Sequence, residues 1–212
     1  MLGGLQRIKL YKQLNPNELS ESQFKKLEYD IKHPEEGTIT DEYLDFKLWS
    51  LGLPSRQVTF ARFVAKKLSK HKGAKILEVG CGRTGRLSRL LSKEGFRMTC
   101  IDPKLEVKSS ADIECIKGKF EYTKFDLSMY DYVIAQEPCE ATEHIVRASV
   151  NQNIPFMIAL CGAPHKLISG EIPKDVYKWY DYLVNISSEE IKLRYIDLDP
   201  LSRTPILKSN KF

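Results

Sequence analysis

The sequence predicts an α/β fold in which a mostly parallel sheet carries helices on both faces. Residues 75–102 have the pattern of a strand, a glycine loop, a helix and a second strand, a unit that joins parallel strands by a right-handed crossover. Further short, apolar, β-rich runs follow at 113–117, 131–135 and 156–160. An amphipathic helix at 54–72 precedes the unit and is expected to pack on the sheet.

Length and composition are consistent with one such domain and an extension. The chain has 212 residues, of which 42% are hydrophobic, which is enough for a sizeable core. Residues 1–45 are polar, mixed in charge and carry turn signals such as Asn15-Pro16. Residues 1–53 are therefore expected to form a helical extension, with a helix at about 20–31. Residues 54–212 are expected to form the α/β domain.

The glycine loop has the features of a nucleotide-binding turn. The apolar run 76–79 is followed at once by Gly80, Gly82 and Gly85, which allow a tight turn and a close approach of a ligand to the backbone. The helix that follows, which is expected to begin near Thr84, offers free N–H groups and the positive end of its dipole. Asp102 ends the second strand, where an acid can accept hydrogen bonds from a ribose diol. The loop is therefore predicted to bind a nucleoside-containing cofactor.

The segment ILEVGCGRTG, residues 76–85, resembles the first motif of the class I S-adenosylmethionine-dependent methyltransferases. The resemblance implies a Rossmann-like, seven-stranded sheet and S-adenosylmethionine as the cofactor. It also implies that Glu78 orients the loop and engages the methionine ammonium, and that Asp102 holds the ribose. The cofactor-binding positions that it suggests are Glu78, Gly80, Cys81, Gly82, Gly85, Asp102, Lys119, Phe120 and Gln136.

The glycine spacing alone leaves alternatives open. Gly80, Gly82 and Gly85 also satisfy G-x-G-x-x-G, the fingerprint of dinucleotide sites, so a nicotinamide or other nucleotide site is the first alternative. A glycine turn that only packs a helix on a strand is the second. The two acids, one in the first strand and one ending the second, favour S-adenosylmethionine.

Lys119 and Phe120 follow the third predicted strand, 113–117. In the resembling family this strand end lies beside the adenine. The resemblance therefore implies that Phe120 stacks on the base or that Lys119 supplies a backbone N–H. A core aromatic is the structural alternative for Phe120.

The loop after the fourth predicted strand, residues 136–144, is the candidate reactive site. It holds three carboxylates, one thiol and one imidazole, and ligands of open parallel sheets bind outside the carboxyl ends of the strands. Glu137 is the predicted general base or acceptor-orienting group, and Cys139 is a further catalytic candidate. The other polar residues near the start of the next helix are expected to cap it: Glu140, Thr142 and Glu143.

The residues of this loop restrict the acceptor without identifying it. Family members that methylate exocyclic amines carry N-P-P-Y/F here, whereas this chain has Q-E-P-C-E, which argues against that route. Pro138-Cys139, with Cys161 after the fifth strand, resembles the paired cysteines of RNA 5-methylcytosine methyltransferases, in which a thiolate adds to the pyrimidine ring. Glu137 and the flanking residues depart from that pattern, so covalent pyrimidine chemistry is the minor alternative.

The last third of the chain adds one candidate residue. His165, in the loop after the fifth strand, is a candidate base or phosphate ligand, with an ordinary loop histidine as the alternative. A helix is expected at 173–184 and strands at 191–198 and 204–207, which would complete the seven strands that the resemblance implies.

Positive charge is concentrated around the glycine loop. Residues 46–93 contain twelve Lys or Arg and one acid, Glu78, whereas the whole chain has a net charge of +5. Such a stretch beside a cofactor site would attract a phosphate backbone, so RNA or another polyanion is a predicted partner. Ordinary solvated helix faces are the alternative, since no nucleic-acid recognition motif accompanies the stretch.

Composition favours a reducing compartment. The five cysteines form no C-x-x-C pair or metal-ligand spacing, and no run approaches the roughly 18 apolar residues of a membrane helix, so a cytoplasmic protein without a metal is expected. The sequence thus predicts a methyltransferase whose acceptor is unidentified. A non-catalytic cofactor-binding or nucleic-acid-binding protein of the same fold is the first alternative, and a nicotinamide-dependent oxidoreductase is the second.

Overall fold

A computed structural model of the chain gives its architecture. The residues that it describes are 8–9, 12–13, 17, 20–33, 56–161, 167–168, 170, 175–186, 191–199 and 202–212. Backbone contacts divide the chain into one unit of residues 1–59 and 197–203 and a second of residues 60–196 and 204–212. The candidate site lies within the second unit.

The strands are β1 (Lys75–Val79), β2 (Arg97–Asp102), β3 (Ile113–Lys117), β4 (Tyr132–Gln136), β5 (Phe156–Ala159), β6 (Ile191–Asp199) and β7 (Ser202–Ser209). They form a mixed sheet with the order β3-β2-β1-β4-β5-β7-β6, and β1 to β5 lie wholly in the second unit. The first five pair in parallel, and β7 pairs antiparallel with β5. The predicted mixture of a mostly parallel sheet with helices is confirmed.

Among the described residues, the helices with defined bounds are α1 (Glu21–Lys32), α2 (Arg56–Lys67), α3 (Arg86–Lys93), α4 (Thr142–Asn151) and α5 (Val176–Asn185). A single turn of 3-10 helix, Cys139–Ala141, precedes α4. In the first unit, Ser20 caps α1 by accepting a hydrogen bond from the Gln23 N–H at 3.3 Å, while the Gln23 side chain accepts from the Ser20 N–H at 2.8 Å.

The alternation of side chains along β1 explains why helices cover both faces. Leu77 and Val79 belong to a buried cluster with residues of α4 and α5, among them Ile145 and Trp179. Successive strand residues point to opposite faces, and Glu78 indeed contacts α3 on the other side of the sheet. Because both faces are covered, the central strands are almost wholly apolar, which is why the sequence reveals them clearly.

Two helices are shorter than their sequence patterns suggest. The pattern at 54–72 continues beyond the observed end of α2 at Lys67, where the chain enters turns. The sequence places the start of α3 near Thr84, but α3 begins at Arg86. Gly85 precedes it with φ of 53°, a left-handed conformation outside the helical region, and a Cβ on Gly85 would lie 3.2 Å from Cys100 Sγ.

The prediction that side chains cap α4 is wrong. Its first turn begins after Ala141, without a side-chain cap, and the Thr142 hydroxyl donates backward to the Cys139 carbonyl at 2.8 Å. Glu140 is exposed and makes no capping hydrogen bond.

Glu143 is buried and holds three donors at once. It accepts from Arg147 Nε at 2.9 Å, from the Tyr182 hydroxyl at 2.6 Å and from the Ile168 N–H at 2.8 Å. A buried carboxylate needs such partners, since burying an unpaired charge is very unfavourable. Glu143 therefore fastens α4 to α5 and to the segment at residue 168.

Candidate functional site

The strand order reverses between β1 and β4, so the carboxyl ends of these two strands form the topological switch point of the sheet. From β1 the chain builds outward through β2 and β3 on one side and through β4 and β5 on the other. Ligands of open parallel sheets bind in the crevice outside the strand ends at such a point. The glycine loop follows β1 and the 136–144 loop follows β4, so the sheet brings the two predicted segments together.

Backbone conformation explains the glycines of the loop. Gly80, Gly82 and Gly85 have φ values of 75°, 66° and 53°, in the left-handed region that side chains other than glycine rarely adopt. The Gly80 N–H donates to the Ile101 carbonyl at 2.9 Å, which fixes the loop to β2. A Cβ on Gly80 would lie 2.9 Å from Pro138 Cβ, so this glycine lets the loop after β4 reach the glycine loop.

Asp102 organises the loop from the end of β2. One carboxylate oxygen accepts the Gly82 N–H at 2.9 Å, and the other accepts the Lys104 N–H at 2.7 Å. Each carboxylate oxygen can accept a second hydrogen bond. The partly exposed Asp102 therefore keeps the loop in shape and retains acceptor capacity for a ligand's hydroxyl groups.

Glu78 is directed into α3. The carboxyl is 3% exposed and accepts hydrogen bonds from the Ser88 N–H at 2.8 Å and from the Ser88 hydroxyl at 2.5 Å. Burial raises its pKa from 4.5 to about 8, against the lowering effect of the Ser88 hydroxyl. These contacts support the loop-orienting part of its predicted role, because they fix α3 on β1 directly behind the glycines.

The loop after β4 has an unusual backbone. Glu137 and Cys139 have φ values of 52° and 49°, and neither is a glycine. A left-handed residue of this kind costs about 1 kcal/mol or more, and such residues cluster at functional sites. The Glu137 N–H donates to the Ala159 carbonyl at 2.8 Å, and Pro138 is buried against Gly80. The surrounding structure thus holds this loop in a strained shape.

Gln136 presents a buried acceptor atom at the end of β4. Among the described residues its Oε1 atom is buried and has no hydrogen-bond partner. An unsatisfied buried oxygen costs about 1–3 kcal/mol, so an atom of this kind in a native site needs an explanation. A donor group on a bound molecule would provide one.

The residues after β3 divide into a core part and a surface part. Phe120 is 5% exposed and packs in the main hydrophobic cluster, with its ring centroid 5.0 Å from that of Phe125. This is the position expected of a core aromatic. Lys119 is exposed at the same strand end.

His144 has a position that the sequence pattern did not assign. Its Nδ1 atom accepts the Tyr122 N–H at 3.3 Å, which joins the segment after β3 to α4. Burial lowers the pKa of His144, which favours the neutral ring whose Nδ1 atom can accept this hydrogen bond. The sequence showed only that a histidine follows β4. The contact itself was not predictable, because Tyr122 lies 22 residues earlier in the chain.

The five cysteines fall into two groups. Cys81, Cys100 and Cys115 form a small apolar cluster under the glycine loop, with Cys100 Sγ 3.6 Å from Cys115 Sγ. Cys139 and Cys161 meet after β4 and β5, with their Sγ atoms 4.0 Å apart. Cys81 is buried, so its side chain lies below the loop. His165, the remaining catalytic candidate, lies outside the described residues.

The residues of the basic stretch lie at both ends of β1 rather than only beside the glycine loop. Lys72 and Lys75 are exposed at the amino end of β1, opposite the glycine loop. Arg83 lies within the loop itself and pairs with Glu106 at 3.0 Å. Residues 46–55 lie outside the described part of the chain. The described residues therefore do not place all of this charge beside the candidate site.

Comparison with known proteins gives the fold. No protein-family profile and no curated protein matches the chain. Among solved structures, a point mutant of MtNAS matches at 14% identity and a TM-score of 0.52, over 97% of this chain and 75% of that one. MtNAS in complex with MTA and tNA matches at 13% identity and a TM-score of 0.52, over 95% and 75%. The same point mutant in complex with S-adenosylmethionine has a TM-score of 0.50, 13% identity and coverage of 97% and 77%.

Weaker matches have TM-scores below 0.5. The sugar N-methyltransferase KedS8 from Streptoalloteichus sp ATCC 53650 matches at 13% identity and a TM-score of 0.49, over 77% of this chain and 92% of that one. A chain from Anabaena variabilis ATCC 29413 matches at 12% identity and a TM-score of 0.45, over 66% of this chain and 64% of its own length.

The protein has a class I methyltransferase-like fold, as the glycine motif predicted. In the part of the chain that the structure describes, no helix combines the length and the apolar character needed to cross a membrane. The same residues contain no group of three His, Cys, Asp or Glu side chains suited to a metal ion.

Proposed function

We propose that this protein transfers the methyl group of S-adenosylmethionine to an acceptor bound at the carboxyl end of β4. The observation that carries the proposal is the arrangement of Asp102 and the glycine loop. A carboxylate at the end of β2 holds the Gly82 N–H and keeps acceptor capacity for a ribose. A point mutant of MtNAS, which shares the fold, forms a complex with S-adenosylmethionine, and we extend this binding to the present chain as part of the proposal.

The described residues fit the proposed cofactor in two respects. Gly80 and Gly82 lack side chains where a ligand must approach the backbone, and their φ values exclude most replacements. Gln136 offers a buried acceptor without a partner among the described residues, which suits an amine or ammonium donor. Asp102 would hold the ribose, and Glu78 would act through Ser88 by fixing α3 behind the loop.

When bound, the cofactor supplies an electrophilic methyl group on a sulfonium. The chain's own residues position the acceptor, and positioning alone lowers a barrier by about 7–11 kcal/mol at best. Glu137 is the proposed base or acceptor-orienting group, because its left-handed backbone at the end of β4 is held by the Ala159 carbonyl. Cys139 is the second residue proposed to face the acceptor, two positions further along the loop.

The acceptor class is the open part of the proposal. RNA is one candidate, through the exposed lysines and arginines of the 46–93 stretch. The 4.0 Å separation of the Cys139 and Cys161 sulfurs also favours a second candidate, a pyrimidine in RNA whose C5 atom becomes nucleophilic when a thiolate adds to the ring and then accepts the methyl group. Small molecules and proteins are the other acceptor classes to be screened.

Two non-methyltransferase functions remain testable against this proposal. A binding protein of the same fold would take up the cofactor and leave every acceptor unmethylated. A nicotinamide-dependent oxidoreductase would bind the reduced dinucleotide instead, which its fluorescence would reveal. We also propose that residues 1–53 form a helical extension to a domain of residues 54–212, and α1 supports the helical character of the extension.

The test is methyl uptake from radiolabelled S-adenosylmethionine by RNA, by protein and by low-molecular-mass fractions of a cell extract. We expect one fraction to be labelled, and Glu137→Gln to lower the rate by about 100-fold or more, as loss of a general base does. Glu140→Gln is the matched control, because Glu140 lies in the same loop with its carboxyl exposed to solvent. Its rate should stay within about twofold of wild type, since exposed surface substitutions have small effects.

Absence of label from all fractions, in the presence of bound cofactor, would contradict the catalytic proposal and favour the binding-protein alternative. Equal rates for Glu137→Gln and Glu140→Gln would remove Glu137 from the reaction while leaving the methyl transfer itself established.

A further inference from the structure

Two thiols from different strand ends meet beside the strained loop. Cys161 follows β5, and its Sγ atom donates to Cys139 Sγ across 4.0 Å. Cys139 begins the 3-10 turn after β4 and is exposed, whereas Cys161 is half-buried. The Tyr180 hydroxyl donates to the Cys161 carbonyl at 3.2 Å, which anchors the less exposed partner to α5.

The separation of the sulfurs is short enough for a bond to form after a small movement. A disulfide has an S–S distance of about 2.05 Å, so the two sulfurs must approach by about 2 Å. The left-handed backbone of Cys139 and Glu137 is a strained conformation that a rearrangement of this loop can relieve. An exposed thiol with a second thiol beside it is the typical arrangement of a redox-active pair.

The other close thiol pair differs in access. Cys100 and Cys115 lie opposite each other on β2 and β3, with Sγ atoms 3.6 Å apart, but Cys100 is fully buried. Hydrogen bonding by the Cys81 thiol lowers the pKa of Cys100 to about 7, whereas burial raises the pKa of Cys115 to about 11. The lowered pKa makes Cys100 the sulfur that ionises more readily, whereas solvent exposure makes Cys139 the sulfur that an oxidant can reach.

We propose that Cys139 and Cys161 are a reversible disulfide-forming modification site, with a peroxide as the oxidant. The exposed Cys139 sulfur attacks hydrogen peroxide, the O–O bond breaks, and a sulfenic acid and one water form. The Cys161 sulfur then attacks the Cys139 sulfur, the S–O bond breaks, and the hydroxide leaves as a second water with the Cys161 proton. Two electrons pass from the thiol pair to the peroxide, and a dithiol reductant returns them.

The oxidation needs only the two thiols and the oxidant, so it can be tested without a methyl acceptor, although the proposed function also places Cys139 beside the acceptor. The place of the pair in the fold gives a disulfide a consequence for that function. Pro138, beside Cys139, packs against Gly80, so a disulfide would tether the loop that contacts the glycine loop to the end of β5.

The test treats the full chain with about equimolar hydrogen peroxide, blocks remaining thiols with N-ethylmaleimide and analyses non-reduced peptides by mass spectrometry. We expect one cross-linked peptide pair, containing Cys139 and Cys161, that dithiothreitol separates. In Cys161→Ser, Cys139 should stop at the sulfenic acid and be trapped by dimedone, whereas the wild type should give little dimedone adduct. Cys115→Ser is the matched control and should form the same cross-link as wild type.

Two results would overturn the proposal. One is a Cys100–Cys115 cross-link in place of the expected one, which would show that thiolate character outweighs access. The other is oxidation of wild-type Cys139 to sulfinic acid without any cross-link to Cys161. Circular dichroism of each serine variant establishes that it is folded before treatment, so either result refers to the native chain.

Discussion

Replacing Asp102 by alanine is expected to lower the affinity for S-adenosylhomocysteine by about 100-fold or more. The carboxylate is the proposed ligand of the ribose, and it also holds the Gly82 N–H at 2.9 Å. Hydrogen bonds to a charged group contribute about 1.5–3 kcal/mol each, so losing two of them accounts for an effect of this size. The measurement is the increase in melting temperature with ligand concentration, which reports affinity for the folded state.

Asp131→Ala is the matched control for this substitution. Asp131 also accepts a backbone hydrogen bond, from the Lys75 N–H at 2.8 Å, but it lies at the amino edge of the sheet, opposite the site. Both variants lose a comparable structural contact, and only Asp102→Ala should lose the ligand. If the two variants bind S-adenosylhomocysteine equally well, Asp102 does not contact the cofactor.

The second large effect concerns Glu78 and the dependence of stability on pH. Its pKa is about 8 in the folded protein and 4.5 ordinarily, so between these values the folded state holds a proton that the unfolded state has released. The free energy of unfolding contributed by this group is therefore highest below pH 4.5 and falls as the pH rises towards 8. A glutamine at position 78 cannot ionise, so the Glu78→Gln variant does not lose this part of its stability as the pH rises.

We expect the stability of Glu78→Gln, relative to wild type, to rise by an amount on the order of 4 kcal/mol between pH 4.5 and pH 8. Urea unfolding at several pH values gives the difference in free energy of unfolding between Glu78→Gln and wild type. The prediction concerns how this difference changes with pH, not its value at any one pH. Ser88→Ala should extend the wild-type slope to higher pH, because the Ser88 hydroxyl lowers the pKa of Glu78. Parallel curves for wild type and Glu78→Gln would mean that the buried carboxyl is already ionised.

The central strands were predictable because their environment is simple. β1, β4 and β5 are covered on both faces, so each appears as an apolar run, interrupted by Glu78 in β1 and bounded by Lys75 at the start of β1 and Gln136 at the end of β4. The glycine loop was predictable for the same kind of reason, since its left-handed backbone nearly requires glycine. Local physics determined both features, and local sequence therefore revealed them.

The role of Glu143 was not predictable from its neighbours in the chain. An acid at the start of a helix is ordinarily a capping or dipole residue. Two of its three partners, Ile168 and Tyr182, lie 25 and 39 residues away and are brought to it by the fold. The strain at Glu137 and Cys139 has no sequence signal either, because neither residue type favours a left-handed backbone.

The basic stretch shows how sequence proximity can mislead in a parallel sheet. β1 has only five residues, so Lys75 and the glycine loop are near in sequence. They nevertheless lie at opposite ends of the strand, Lys75 at the amino end and the glycine loop at the carboxyl end. Any polyanion bound to Lys72 and Lys75 would contact the edge away from Asp102. Salt dependence of RNA binding therefore says little about the site unless it is compared with binding of the cofactor.

The assignment of the cofactor is tested by a calorimetric titration of the wild-type chain with S-adenosylhomocysteine and, separately, with NADH. We expect one binding site for S-adenosylhomocysteine with a micromolar dissociation constant and no measurable heat with NADH. A folded chain that binds NADH, or that binds neither compound, would contradict the assignment of the glycine loop and Asp102 to S-adenosylmethionine.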